Sequence, residues 1–233
     1  MKIIFFGDSL TEGLHGYGYF TILKKRIRKH YLINAGRSGD TVYSLYKRMK
    51  RMDIENHDIS FIWIGTNDVF GKVTKTYKLI KIITRQRWSR DKKEFEKNYN
   101  KIITILEKKS EKIILIPPIF IGENIKNRWN KKLNDLSKII EKTSEKDKKI
   151  EFFDIRKNIY PKLKEKKSDY IIKTWKDIII DIIQLKNKDA FDKKSKKRNL
   201  QFTVDGVHLN NTGANIVAEL FYNKIKQVEK DEI

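Results

Sequence analysis

The chain contains no cysteine, so disulfides, thiolate zinc sites and a cysteine nucleophile are all excluded. It has only three prolines and no stretch rich in proline, glycine and serine that would act as a linker between domains. No apolar run approaches the roughly 18 residues needed to cross a bilayer. The apolar run before Gly7 is also too short to be the core of a signal peptide. We therefore expect one domain over residues 1–233, located in the cytoplasm.

Acidic residues are also scarce relative to basic ones. The 233-residue chain has 52 Lys and Arg against 30 Asp and Glu, which gives a formal net charge of +22. Nucleic acid binding requires such residues to cluster on one face. Here the excess is mostly lysine and recurs in nearly every predicted helix, which favours a chain-wide compositional bias. We expect no nucleic acid partner, although a polyanion-binding protein remains the alternative of another class. The densest cluster, at residues 193–198, is interpreted as a solvated loop.

Short β-branched and aromatic runs alternate with segments of helical periodicity. The runs predict strands at residues 2–6, 31–34, 59–64, 112–116 and 150–154. The periodic segments predict one helix that ends near residue 30 and three more over residues 42–52, 92–109 and 124–145. A last helix is predicted to follow a cap at residues 211–213. Strands separated by helices imply a mainly parallel sheet covered on both faces. The sequence therefore predicts an α/β protein with a five-stranded sheet.

A serine follows the first strand directly, in the stretch Gly7-Asp8-Ser9-Leu10. Open α/β sheets bind ligands at the carboxyl ends of their strands. A serine in this place also commonly caps a helix or completes a turn, so this stretch alone leaves both interpretations open. Far downstream, Asp205 precedes His208 by three residues. That spacing can let the carboxylate hold the Nδ1 proton of the imidazole while Nε2 faces a nucleophile, and Ser9 is the natural partner.

Four sequence blocks together resemble the GDSL, or SGNH, hydrolase family. The blocks are Gly7-Asp8-Ser9-Leu10, then Asn34 with Gly36 and Gly39-Asp40-Thr41, then Gly65-Thr66-Asn67-Asp68, and finally Asp205-Gly206-Val207-His208-Leu209. Each block alone is weak evidence for the family. All four, however, occur in the order that the family has, at predicted strand ends or in a late loop. The resemblance covers roughly residues 2–158 and 200–226 and does not extend over residues 160–199.

The resemblance implies a role for each matching residue. Ser9 is expected to be the nucleophile, His208 the general base and then acid, and Asp205 the group that orients the imidazole. The backbone N–H groups of Ser9 and Gly39 and the side-chain amide of Asn67 are expected to form the oxyanion hole. The implied fold is a flavodoxin-like three-layer α/β/α sandwich, and the family requires no metal or cofactor.

The resemblance also implies a small-molecule acyl ester as substrate. We expect a short-chain or acetyl esterase, with a lysophospholipase or thioesterase of the same fold as alternatives. The family's specificity lies in loops outside the four blocks, which leave the alcohol part and the oligomeric state open. Trp88, Trp129 and the 160–199 segment are candidates for the pocket wall, and His15 is a weaker one. His30 and His57 are interpreted as surface residues.

The 160–199 segment contains an apolar stripe that predicts a helix over residues 169–186. The stripe consists of Ile171, Trp175, Ile178, Ile179, Ile182 and Leu185. Its apolar face must be buried. The helix either adds a layer to its own domain or forms a lid or subunit contact beside the active site, and the sequence leaves both open.

Overall fold

The computed structural model describes residues 1–73, 83, 87–163, 168–172 and 188–231. Within these residues, the strands are β1 (Lys2–Gly7), β2 (Tyr31–Gly36), β3 (His57–Trp63), β4 (Ser110–Ile116) and β5 (Ile150–Phe152). The helices are α1 (Ser9–Glu12), α2 (Tyr19–Arg26), α3 (Val42–Met49), α4 (Thr66–Phe70), α5 (Lys92–Leu106), α6 (Arg128–Ser144), α7 (Arg156–Ile159), α8 (Lys188–Lys197) and α9 (Asn211–Asp231). A short 3-10 helix, Tyr160–Lys162, follows α7. Each predicted strand is confirmed to within two residues at either end.

The strands form one parallel sheet in the order β2-β1-β3-β4-β5. In register, Phe5 of β1 lies opposite Asn34 on one side and Phe61 on the other. The most apolar predicted strand, β3, is at the centre, as its sequence predicts. This strand order is that of the flavodoxin-like folds.

Helices cover both faces of the sheet, which confirms the three-layer α/β/α sandwich. Successive side chains of a strand point to opposite faces. Phe6 and Ile62 therefore join the core beneath α3, α5 and α6, whereas Phe5 and Phe61 join the core beneath α2 and α9. The Phe5 and Phe61 rings stack with centroids 4.9 Å apart, and Phe221 of α9 lies 5.1 Å from Phe61. The last helix is thus part of the second outer layer.

The strand order reverses between β1 and β3, and ligands of open α/β sheets bind outside the carboxyl ends at such a point. Ser9 follows β1 there, and the turn at residues 37–40 follows the neighbouring β2. Asn67, in α4, follows β3. Three of the four sequence blocks therefore meet at one edge of the sheet.

The lysine-rich stretch at 193–198 is mostly helical, so its interpretation as a loop was wrong. It forms the end of α8, in which Phe191 and Ser195 lie one turn apart and are both buried. The Ser195 hydroxyl donates to the carbonyl of Phe191 and to that of Thr203, 2.8 Å away. The exposed lysines of this stretch lie on the solvent face of a helix whose buried side, with Phe191 and Ser195, packs on the protein.

The helix predicted over 169–186 lies mostly outside the described residues. Its predicted first turn is not helical, since residues 168–172 form neither a helix nor a strand. Ile171 and Ile172 are buried, and the Ile172 N–H donates to the carbonyl of Asp205 at 3.0 Å. This segment therefore packs against the loop that carries Asp205.

The expectation that His30 and His57 lie at the surface was wrong. His57 is 5% exposed and lies between the Glu55 carbonyl and the Ser60 hydroxyl, and the side chain of His30 is only 7% exposed against Glu229. Trp129, a candidate for the pocket wall, belongs to the core on the α6 side of the sheet, as an aromatic residue near a helix end commonly does.

Helix ends also differ from the predicted ones. The sixth helix begins at Arg128 because the Asn127 side chain accepts hydrogen bonds from two N–H groups of its first turn.

Among the described residues, no helix has the length and apolar character needed to cross a membrane.

Candidate active site

Ser9 is the first residue of α1 and directly follows the sharp turn at the end of β1. Asp8 caps the helix, since its Oδ1 accepts a hydrogen bond from the Leu10 N–H at 3.0 Å. A Cβ atom at Gly7 would lie 2.3 Å from Thr11 Oγ1, so only glycine allows α1 to fold back this closely on β1. Because Asp8 is the cap, capping does not account for the serine. Its side chain remains available at the carboxyl edge of the sheet.

Asp205 and His208 lie in a tight hairpin between α8 and α9, which we call the acid–base hairpin (residues 200–210). The Val204 N–H donates to the His208 carbonyl at 2.8 Å, which closes the turn. Gly206 adopts φ +91°, a conformation that glycine permits. The three-residue spacing seen in the sequence is thus produced by a turn.

A continuous hydrogen-bonded chain joins the three predicted residues. Ser9 Oγ lies 2.9 Å from His208 Nε2, and His208 Nδ1 lies 2.6 Å from Asp205 Oδ2. When the Nδ1 proton is donated to the carboxylate, Nε2 is the acceptor for the Ser9 hydroxyl. Residues 199 positions apart in the sequence are therefore in direct contact. The imidazole is placed to take the serine proton.

The Asp205 carboxylate is held in its charged form. Burial opposes ionisation, but the His208 charge, its ring hydrogen bond and the backbone N–H groups of His208 and Val207 together hold the pKa of Asp205 below its usual range. The two N–H groups lie 2.8 and 2.9 Å from Oδ1. At neutral pH Asp205 is an anion fixed on the far side of the ring.

The predicted oxyanion residues other than Ser9 lie in the turn after β2 and in the first turn of α4. Gly39 adopts φ +77° in the turn after β2. The Asn67 Nδ2 atom lies 3.1 Å from the carbonyl of Asp40 and 3.3 Å from Asp8 Oδ2. The amide is therefore located between the turn that contains Gly39 and the turn that contains Ser9.

Two charged residues outside the predicted set hold the turn at residues 37–40 in place. Glu12 Oε2 accepts hydrogen bonds from the N–H and the hydroxyl of Ser38. On the other side, Arg48 forms an ion pair with the buried Asp40 and donates to the Ala35 carbonyl. Burial raises the pKa of Asp40, although Arg48 counteracts this effect.

His15 is the other histidine at the site. Its ring centroid lies 5.2 Å from that of His208, and the residue is half-buried. Burial and the neighbouring His208 charge lower the pKa of His15, although Asp205 and Glu12 oppose the shift. The ring is therefore neutral at pH 7 and can donate or accept a hydrogen bond.

Sequence reasoning missed the residues that support this constellation. Glu12 lies two residues beyond the first block, and its short distance from Ser9 in the sequence was the only signal that could have identified it. Glu123 also binds the acid–base hairpin, and it lies in none of the four sequence blocks. A carboxylate in a loop after a strand carries no pattern that distinguishes it from a surface residue.

The chain was compared with known proteins. A sequence model of the GDSL-like lipase/acylhydrolase family matches residues 5–216. An acetyl xylan esterase, AlAXEase, is 26% identical, with a TM-score of 0.66 over 97% of this chain and all of its own. Axe2, an acetylxylan esterase from Geobacillus stearothermophilus, is 21% identical, with a TM-score of 0.64 over 96% of this chain and 93% of its own.

A third solved structure is LAE5, an alpha/beta hydrolase from the metagenome of Lake Arreo, Spain. It is 20% identical, with a TM-score of 0.64 over 94% of this chain and 92% of its own. Among curated proteins, no sequence matches the chain significantly. The family match covers most of the chain and includes all four sequence blocks. The chain therefore belongs to the GDSL-like lipase/acylhydrolase family and is a carboxylic ester hydrolase.

Proposed function

We propose that the protein is a serine esterase that removes a short acyl group, acetyl in particular, from a carbohydrate through an acyl-enzyme on Ser9. The observation that carries the mechanism is the hydrogen-bonded chain from Ser9 through His208 to Asp205. A serine hydroxyl is a weak nucleophile until a base accepts its proton, and this chain supplies the base and the group that orients it.

The reaction proceeds in two halves. His208 Nε2 takes the hydroxyl proton as Ser9 Oγ bonds to the ester carbonyl carbon. The bond from that carbon to the alcohol oxygen then breaks, and His208 gives its proton to the departing alcohol. In the second half, water gives a proton to His208 and attacks the acyl-serine. The carboxylic acid leaves, and the proton returns to Ser9.

The negative charge on the carbonyl oxygen needs fixed donors in both halves. We assign this role to the N–H groups of Ser9 and Gly39 and to the Asn67 amide. The position of the amide between the two turns supports this assignment.

The relatives support this assignment. Three solved structures of Axe2 are described as catalytic mutants, and they replace a serine, an aspartate and a histidine by alanine. The aspartate and histidine of Axe2 are three positions apart, as Asp205 and His208 are here.

Acetyl xylan is the substrate named for two of the similar structures. In the proposed mechanism the alcohol oxygen receives its proton from His208, so the alcohol half of the ester lies on the side of that ring. The neutral, half-buried ring of His15 is adjacent, and a neutral imidazole suits the hydroxyl groups of a sugar. We assign His15 to binding the alcohol half.

The test is a substrate series with the wild type and Ser9→Ala. We expect hydrolysis of p-nitrophenyl acetate and butyrate to exceed that of longer esters, together with release of acetate from acetylated xylooligosaccharides. A fluorophosphonate should label Ser9 and fail to label the variant, as measured by intact mass and peptide mapping. An adduct elsewhere would contradict the nucleophile. Preference for long-chain esters, a lysophospholipid or an acyl-CoA would contradict the substrate class but leave the nucleophile intact.

A further inference from the structure

Glu123 is a buried carboxylate on the loop between β4 and α6, and it is 6% exposed. Its oxygens accept hydrogen bonds from three consecutive backbone N–H groups of the acid–base hairpin. The distances are 2.6 Å from Gln201, 2.7 Å from Phe202 and 2.8 Å from Thr203. The Thr203 hydroxyl donates as well, at 2.8 Å. One side chain thus binds all three residues of the backbone segment 201–203 that leads to Asp205.

Burial of a carboxylate is unfavourable unless strong hydrogen bonds compensate. Among the described residues, Glu123 has no ion pair with a lysine or arginine, so its charge is balanced by backbone and hydroxyl dipoles. A glutamine could not replace it without loss, because the amide nitrogen is a donor and would face the N–H of Gln201. The site therefore requires two acceptor oxygens, which a simple packing role would not.

The loop of Glu123 contacts the hairpin a second time. The neighbouring Gly122 donates its N–H to the carbonyl of Gly206, between Asp205 and His208, at 2.7 Å. The two glycines are also in van der Waals contact, since a Cβ at Gly206 would lie 3.4 Å from the Gly122 Cα. The loop therefore contacts the hairpin on both sides of Asp205.

We propose that Glu123 is a positioning residue for Asp205 and His208. It acts on this pair indirectly, because it fixes the backbone of residues 201–203. This inference rests on the proposed roles of Asp205 and His208. Thr203 stands two residues before Asp205, and Thr203 is bridged across the hairpin to Leu209, the residue after His208. A shift of this segment therefore moves the carboxylate and the imidazole together relative to Ser9, which belongs to a different part of the sheet.

The decisive variant is Glu123→Gln, with Glu151→Gln as the control. Glu151 is a carboxylate of β5 that pairs with the buried Lys224, remote from the hairpin, so its loss tests stability alone. We expect Glu123→Gln to lower kcat for p-nitrophenyl acetate by about 10- to 100-fold, since small displacements of reacting groups have effects of this size. KM should change by less than about 3-fold, because substrate contacts remain. The control should lower the melting temperature and leave kcat unchanged.

A second readout distinguishes positioning from loss of stability. If the Asp205–His208 hydrogen bond loosens, the imidazolium is less stabilised, and the acid limb of the kcat profile moves to lower pH. A kcat equal to that of the wild type, or a lowered kcat with an unmoved acid limb, would overturn the proposal.

Should Glu123→Gln fail to fold, Thr203→Val removes one of the four hydrogen bonds while keeping the side-chain shape. That variant should show a smaller change in the same direction, and a wild-type kcat and profile would overturn the proposal.

The test remains informative if the proposed function fails. The His208 Nδ1 proton, bound to Asp205, should give a far-downfield proton NMR signal in the wild type that broadens or moves upfield in Glu123→Gln. A wild type that hydrolyses no ester would refute the function, and an unchanged signal in the variant would refute the role of Glu123.

Discussion

At the scale of single residues, the site depends on groups whose charge or hydrogen bonding changes during the reaction. Asn67 is expected to bond to the substrate more strongly once the oxyanion develops than in the ground state. Replacement by alanine should lower kcat about 10²- to 10³-fold and change KM much less, as steady-state kinetics on p-nitrophenyl acetate will measure.

Asn98→Ala is the matched control for this variant, because Asn98 is another buried amide, bonded to the Glu94 carbonyl within α5. It should reduce stability without reducing kcat. A loss in Asn67→Ala that appears mainly in KM would mean that this amide binds the substrate in its ground state.

His15 should affect one class of substrate more than another. His15→Ala is expected to lower kcat/KM for an acetylated xylooligosaccharide by roughly 3- to 10-fold, the value of about one hydrogen bond. For p-nitrophenyl acetate, whose alcohol has no sugar hydroxyl, the value should stay within about 2-fold. The ratio of the two constants is the measurement, and equal losses on both substrates would contradict a contact with the alcohol half.

His57 should contribute to the pH dependence of stability. Burial, with Lys2, lowers the pKa of His57, so the unfolded chain binds its proton at a higher pH than the folded chain. Stability is therefore lost as pH falls below about 6.5, the ordinary value, towards the lowered pKa. His57→Gln keeps a hydrogen-bonding side chain and removes this effect. Its melting temperature should fall less between pH 7.5 and 5.5 than that of the wild type, and parallel curves would contradict the assignment.

At the scale of elements, the helices are specified by their caps as well as by their apolar faces. Asp91 caps α5, since its Oδ1 accepts from the Glu94 N–H at 2.8 Å. Asp91→Ala should lower the free energy of unfolding by about 0.5–2 kcal/mol in urea denaturation, whereas Asp91→Ser should retain most of it. Activity should be unchanged in both. Equal stability of the two variants would show that the cap contributes little.

The acid–base hairpin shows a different kind of element, one with little regular structure of its own. Its backbone is held by the side chains of Glu123, Ser195 and Arg198, and by the segment at 168–172. Part of the 160–199 segment thus supports the proposed catalytic loop directly. For residues 168–172, this contact favours packing on their own domain over a lid or a subunit contact. The rest of the predicted helix lies outside the described residues and stays a prediction.

At the scale of the molecule, we propose that residues 1–233 form one domain. The first strand and the last helix share one core, in which Phe5 and Phe221 lie 5.9 Å apart. Unfolding in urea should therefore be a single transition, with coincident curves from tryptophan fluorescence and far-UV circular dichroism. Two separated transitions would show that part of the chain is an independent unit.

The sequence by itself determined the class of fold and the residues of the proposed site. Strand periodicity is local, so each strand could be located to within two residues, and the three-residue spacing of Asp205 and His208 is local as well. The lysine run at 193–198 was misread because charge dominated the pattern, whereas two buried positions, Phe191 and Ser195, decide the structure.

Only the tertiary structure decided which distant groups meet. The contact between Ser9 and His208 depends on strand order and on the packing of α9, neither of which any single stretch encodes. Glu123 and the burial of His57 were invisible for the same reason. A carboxylate or an imidazole acquires its partners from elements far away in the sequence, and its burial is set by how those elements pack.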